Sequence, residues 1–389
     1  MKSRLDEDSE TFIDAFRGLA AWGVLLTHAI DIGIAGVYGQ DMTLTPISWR
    51  WARASIGHGG FLVWCFFVIS GLCIHQSIAR SVETGTFSWR RYFAARVSRI
   101  YPLFTLGLLL AVLVWWFTDA PNAVKPWPQF FSSLVSLQIL TNTFPNYDPS
   151  WSLSNEMIYY FVWPLVLLCF TGRNSNRALL LSMVVTFFVA VCIMSLWKVF
   201  HRFEHSALTR GLWTITVLFP LWAGGAWLGS AWKTVREKIS LRFWLWSMLL
   251  CVLSGLFLVV LKFQDSPTWA TDLAGLSSMP GLMIFIAGAH HAQLSSYGWT
   301  KRVSQWLGQF SYPCYVLHYQ IMIMLDRIVL PKPNVGLASN PILRSLMLLV
   351  PVSLLLAIVG PWIERRTMAW RANFLARMQA RPAAPRSNI

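Results

Sequence analysis

The chain has 389 residues, of which 55% are hydrophobic and 13% charged. Soluble domains carry about 25% charged residues, so an ordinary soluble protein is excluded and a polytopic membrane protein is indicated. The net charge of +15 could suit nucleic acid, but no soluble basic domain is present to bind it, and basic cytoplasmic loops account for the excess.

Residues Asp6 to Glu10 form an acidic run ahead of the first apolar segment, 14–36. No small-residue cleavage site follows a short apolar core, so this segment is expected to stay as a membrane helix. It carries Arg17 and His28. Eleven positions along a helix are close to three turns, so the two side chains share a face about 16 Å apart. That is roughly half the hydrocarbon thickness of a bilayer. Ionisable groups at such depth are costly and usually functional. The alternative is a flanking arginine and a hydrogen-bonded core histidine.

The second segment, 58–79, contains Phe66-Phe67-Val68-Ile69-Ser70-Gly71. Ser-Gly in an apolar helix usually marks close helix packing, with Ser70 as a weaker site candidate. Before the third segment, 100–118, stands Arg96-Val97-Ser98-Arg99-Ile100-Tyr101-Pro102. Arg96 and Arg99 lie three apart on one helix face. Paired guanidinium groups suit a polyphosphate, and a positive-inside anchor without ligand is the other reading. The stretch 129–140 is too short and polar to cross, so an interfacial or re-entrant helix is expected.

The fourth segment, 155–171, opens with Trp151-Ser152-Leu153-Ser154-Asn155-Glu156 and continues to Tyr159-Tyr160. A carboxylate there needs a histidine, an arginine or water as partner. It could orient an imidazole in a proton relay or simply complement the helix dipole. Further segments are expected at 178–199, 211–231, 243–262, 273–291, 311–329 and 342–363, ten in all. His201 to His205 matches the inverted zinc-peptidase string. No soluble domain or further ligand accompanies it, so a polar loop is expected, and no metal site. The ninth segment holds Tyr312-Pro313-Cys314-Tyr315-Val316-Leu317-His318, where His318 could serve catalysis or a core hydrogen bond.

With the N-terminus inside, 22 of the 32 Lys and Arg fall on cytoplasmic positions, which places both termini in the cytoplasm. The fold class expected is an all-α polytopic membrane protein. One membrane domain covers 1–366, and a basic tail over 367–389 is expected to be disordered or surface-lying. The six cysteines all fall in apolar segments with no Cys-x-x-Cys, so disulfides are not expected.

Five strings occur in one order. They are Arg-x10-His at 17 and 28, Phe-Phe-Val-Ile-Ser-Gly at 66–71, Arg-x-x-Arg-Ile-Tyr-Pro at 96–102, Trp-Ser-Leu-Ser-x-Glu with Tyr160, and Tyr-x-x-Tyr-x-x-His at 312–318. Together they resemble the acyltransferase type 3 family of membrane proteins. Trp64 and Pro313 depart from the family's usual residues. The resemblance implies transfer of an acyl group from cytoplasmic acetyl-CoA or another acyl-CoA to a hydroxyl of a glycan or lipid-linked saccharide outside a bacterial inner membrane. Arg17, Arg96 and Arg99 would hold the donor phosphates. His28 would act as general base, and Glu156 would orient it or balance its charge. Ser70, Trp151, Ser152, Tyr160 and His318 are weaker acceptor-site or pore-lining candidates. Membrane lipids are the remaining expected partner, and a glycan transporter or flippase is the rival reading.

Overall fold

The computed structural model describes residues 5–39, 45–56, 59–118, 125–169, 175–195, 206–264, 268–330 and 339–380. The described residues are mostly helical, with no strand among them, as the apolar runs require. In hydrocarbon a helix satisfies its own backbone.

Helix α1 (Glu7–Tyr38) is capped by Asp6, whose carboxylate accepts from Ser9 N at 3.1 Å. Glu7, Asp8 and Glu10 in its first turn complement the dipole. The chain continues through α2 (Ile47–Ile56), α3 (Gly59–Glu83), α4 (Trp89–Thr118), the short α5 (Trp127–Leu134) and α6 (Trp151–Cys169). It then forms α7 (Ser175–Ser195), α8 (Ala207–Lys238), α9 (Leu241–Phe263), α10 (Thr268–Ala287), α11 (Gly298–Met324) and α12 (Pro341–Ala380).

Ten of these helices overlap the ten predicted segments. Among the described residues, eight stretches are long and apolar enough to cross a membrane. The other two positions belong to α7, whose apolar part runs over Leu179–Ser195, and to α11. Helix α11 carries polar groups that face other helices: Ser311, His318 and Gln320 are all buried. It starts at Gly298, well before the predicted 311.

The predicted non-crossing stretch is α5 followed by a 3-10 turn at Gln138–Leu140. The tail differs from expectation. Helix α12 runs unbroken to Ala380, where a separate disordered or surface-lying segment was expected after residue 366. Its 40 residues span about 60 Å, twice the hydrocarbon thickness. The last turns are held by Arg371 Nε donating to Ala95 O at 3.2 Å.

Helix α1 packs on α11, α12 and α3, while α3 packs chiefly on α8. The α3–α8 contact is a mutual glycine approach. A Cβ on Gly71 would lie 2.0 Å from Trp222 O, and one on Gly225 would lie 1.9 Å from Val68 O. This is the close packing that Ser-Gly suggested. Helix α6 rests against α3 and α8. One end of the bundle is tied by Asp6–Arg236 at 2.9 Å, by Glu7–Lys301, and by Ser295 N donating to Asp8 at 2.9 Å. The other end is tied by Asp31–Arg53 at 2.7 Å and Asp326–Arg344 at 2.6 Å.

Candidate functional site

At the end that holds the start of α1, three arginines meet although they come from two helices. Arg17 projects from α1, and Arg96 and Arg99 project from the first turns of α4. All three line one cavity of about 210 Å³. The same cavity is lined by Ser70 on α3, by Ser152, Glu156 and Tyr160 on α6, and by Tyr312 and Tyr315 on α11. Seven of the predicted site residues therefore share one space.

The arginines are held differently. Arg17 stands 4.0 Å from Asp14. Arg96 donates to Ser77 Oγ at 2.5 Å and lies over the Tyr92 ring at 5.3 Å. Arg99 pairs with Glu364 of α12 at 2.5 Å and lies over Tyr312 at 4.9 Å. Glu364 is almost fully buried. Sequence reasoning missed it, although a lone acid beside Arg365 and Arg366 was a visible signal.

Glu156 ends a hydrogen-bond chain with one consistent direction. Trp222 Nε1 can only donate, and it donates to Ser70 Oγ at 3.3 Å. Ser70 can then donate to Tyr160 Oη at 3.1 Å, and Tyr160 donates to Glu156 Oε2 at 3.2 Å. Each hydroxyl passes its hydrogen toward the carboxyl oxygen, so the chain polarises toward Glu156. Tyr92 Oη fixes the backbone of Tyr160 by donating to its carbonyl at 2.8 Å. At the far wall Ser152 Oγ and Tyr315 Oη are 2.5 Å apart, and Tyr315 also donates to Pro149 O at 3.1 Å.

His28 lies outside this cavity. Its ring sits 5.3 Å from that of His318 and 5.0 Å from that of Tyr319. No hydrogen bond or ring contact joins it to Glu156 among the described residues. The expected pairing of imidazole with carboxylate is thus replaced by His28 with His318 and Tyr319. The reason is helical register: Glu156 is turned toward α3, while His28 faces α11. His318 is fully buried, with Nδ1 on Cys314 O at 2.8 Å and Nε2 without a partner. A carbonyl only accepts, so Nδ1 carries the hydrogen and Nε2 the lone pair. Tyr315 bridges the two places. It lines the cavity and its ring is 6.3 Å from His318.

Trp151, the tenth candidate, lines a second cavity of about 460 Å³ bounded by α3, α6, α8 and α10. Neighbouring residues on one helix thus face different spaces, Trp151 one way and Ser152 the other. The string His201 to His205 lies outside the described residues. Among those described, no group of three or more His, Cys, Asp or Glu could hold a metal. All six cysteines are free.

A protein of Haemophilus influenzae described only as uncharacterized is 28% identical over 138 residues, which covers 32% of this chain and 56% of that relative. No solved structure matches. The type 3 acyltransferase domain matches residues 10–363, nearly the whole length, and on that extent the chain belongs to the acyltransferase type 3 family.

Proposed function

We propose that the protein transfers an acyl group, acetyl in the first instance, from cytoplasmic acyl-CoA to a hydroxyl of an extracytoplasmic or membrane-linked glycan. The observation that supports this most is the convergence of Arg17, Arg96 and Arg99 on one narrow cavity that runs to Glu156. A CoA thioester is a phosphate-rich head on a slender arm. Guanidinium groups match its phosphates, and a cavity of about 210 Å³ admits the arm while leaving the nucleotide at the mouth.

In this reading the acceptor oxygen attacks the thioester carbonyl as His28 takes the hydroxyl proton. The C–O bond forms, the C–S bond breaks, and the imidazolium returns the proton to the departing thiolate. His318 holds the His28 ring, and Tyr315 moves aside to let the thioester reach it. Glu156 acts as a positioning residue that orders the Tyr160 and Ser70 hydroxyls along the arm. A direct transfer fits better than a covalent enzyme intermediate. Cys65 and Cys314 are buried, Cys73 lines the donor cavity with no histidine among the described lining residues to activate it, and Ser70 is committed to Trp222 and Tyr160.

The test is His28→Ala in protein reconstituted in a bilayer. Transfer of labelled acetyl from acetyl-CoA to envelope glycan should fall by about 10²–10⁴-fold, with acetyl-CoA binding retained. Wild-type turnover would remove His28 from the mechanism. Glycan movement across the bilayer without any acyl transfer would favour the transporter reading.

A further inference from the structure

The second cavity has a chemistry of its own. Its walls bring three indoles together, Trp64 from α3, Trp151 from α6 and Trp213 from α8, with Gln138, Asp148 and Asp272 among them. Gln138 is fully buried. Its Nε2 donates to Ser150 O at 2.8 Å, which fixes the amide orientation, and its Oε1 has no partner. A buried acceptor left unpaired costs about 1–3 kcal/mol, so a donor that reached this oxygen through the cavity wall would recover that cost. Asp272 accepts one bond, from Trp213 Nε1 at 2.9 Å, of the roughly four a carboxylate can take. Asp148 accepts from Thr143 at 3.1 Å and from Tyr319 at 2.9 Å.

The lining therefore presents acceptors and flat apolar rings. Among the described lining residues the one cation is Arg210, and it already donates to Asn142 Oδ1 at 2.9 Å. A phosphate or carboxylate ligand would meet two carboxylates and be repelled. A lipid chain would leave Gln138 Oε1 and both carboxylates unanswered. A ring with many hydroxyl donors and apolar C–H faces answers both features, because its faces cover indoles and its hydroxyls reach the oxygens.

The position is as informative as the lining. Tyr319, held by Asp148 at the cavity wall, packs edge-on against His28 at 5.0 Å. On its other side His28 meets His318, which touches Tyr315 of the arginine cavity. The imidazole thus lies between the two spaces, one residue removed from each wall.

We propose that the cavity bounded by Trp64, Trp151, Trp213, Gln138 and Asp272 is the acceptor site, and that it takes an uncharged saccharide whose hydroxyl is presented to His28 past Asp148 and Tyr319. This rests on the acyl-transfer reading above and adds the acceptor's place and its lack of charge. The thioester donor arrives through the arginine cavity, so the two substrates approach through different cavities.

Gly60 offers a clean test, because it lines this cavity and a Cβ added to it meets nothing within 4 Å. Gly60→Leu adds apolar bulk at the cavity wall with room for its Cβ, and Asp272→Asn removes its charge while an oxygen remains for Trp213. Full-length protein in lipid nanodiscs is supplied with labelled acetyl-CoA and one of three probes: neutral hexose and N-acetylhexosamine trisaccharides, a serine-containing peptide, or a diacylglycerol. The expected result is acetylation of a trisaccharide, with its KM raised at least tenfold in both variants and acetyl-CoA affinity within twofold of wild type. Trisaccharide acetylation with unchanged KM in both variants overturns the site. Acetylation of only the peptide or the diacylglycerol, or of no probe by protein that binds acetyl-CoA, overturns the acceptor class. Failure to bind acetyl-CoA at all is a separate result, which sinks the underlying acyl-transfer reading.

Discussion

Arg99 and Arg96 are three residues apart and face one cavity, yet substitution should separate them. Arg96 is anchored by a neutral hydroxyl and a ring, so its charge is available to a phosphate. Arg96→Ala should raise the apparent KM for acetyl-CoA by about 10–100-fold, the loss of one charge-assisted contact worth roughly 1.5–3 kcal/mol, with little change in stability. Arg99 is paired with a carboxylate that is only 5% exposed. Arg99→Ala strands that carboxylate, and breaking a buried pair from one side costs up to about 3–5 kcal/mol. Its main signature should be a lowered unfolding temperature, and adding Glu364→Ala should recover much of the loss. Thermal unfolding of the single and double variants in detergent checks this. Equal melting of Arg99→Ala and wild type would show that the pair does not bind the helices. The sequence showed both arginines through their three-residue spacing. It could not show that Glu364, 265 positions away, takes one of them, because such pairing depends on where α12 crosses α4.

Helices were legible as elements wherever one apolar run met one span, and less so at their ends. Apolar windows stop where polar residues begin, but a helix does not. Helix α4 begins at Trp89, a full ten residues of basic sequence before its apolar core, and α12 continues through Arg365 to Ala380. Both extensions are good helix-forming sequence that leaves the hydrocarbon without reason to unwind. Helix α11 was harder to delimit, since its polar residues face helices and not lipid. The contact between α3 and α8 was legible in part. Ser70-Gly71 announced a close approach, but Gly225 as its counterpart could not be picked from the glycines of α8. The reciprocity makes a sharp prediction. In Gly71→Val the added carbon meets the Trp222 carbonyl at 2.0 Å, and that obstacle is backbone. Overpacking against a side chain costs about 1–3 kcal/mol, and here nothing can rotate away, so folded yield and unfolding temperature should both fall. Gly60→Leu on the same helix meets open space and should melt like wild type. Equal stability of the two variants would disprove the tight α3–α8 seam.

At the scale of the whole molecule, the two cavities share α3 and α6 but take their other walls from different places, the start of α4 for one and the start of α8 for the other, with Trp151 lining one and Ser152 the other. This division could not be read from the sequence, because two adjacent residues carry the partition and their directions depend on the first turn of α6. In the proposed reaction this division puts the donor in one space and the acceptor in the other. Cys73 reports on that separation. It is a free, exposed thiol on the wall of the arginine cavity, whereas Cys169 is exposed at the end of α6 and lines neither cavity. A membrane-impermeant maleimide should therefore modify Cys73 only from the side that carries Arg17. Acetyl-CoA should slow that modification by at least tenfold at saturation, as the arm fills the cavity, and leave Cys169 unaffected. The measurement is peptide mass spectrometry of vesicles of each orientation, labelled at mildly alkaline pH to supply thiolate. Labelling of Cys73 from the opposite face would mean that the two spaces are one open channel. In that case the arrangement would suit passage of a solute better than transfer of an acyl group.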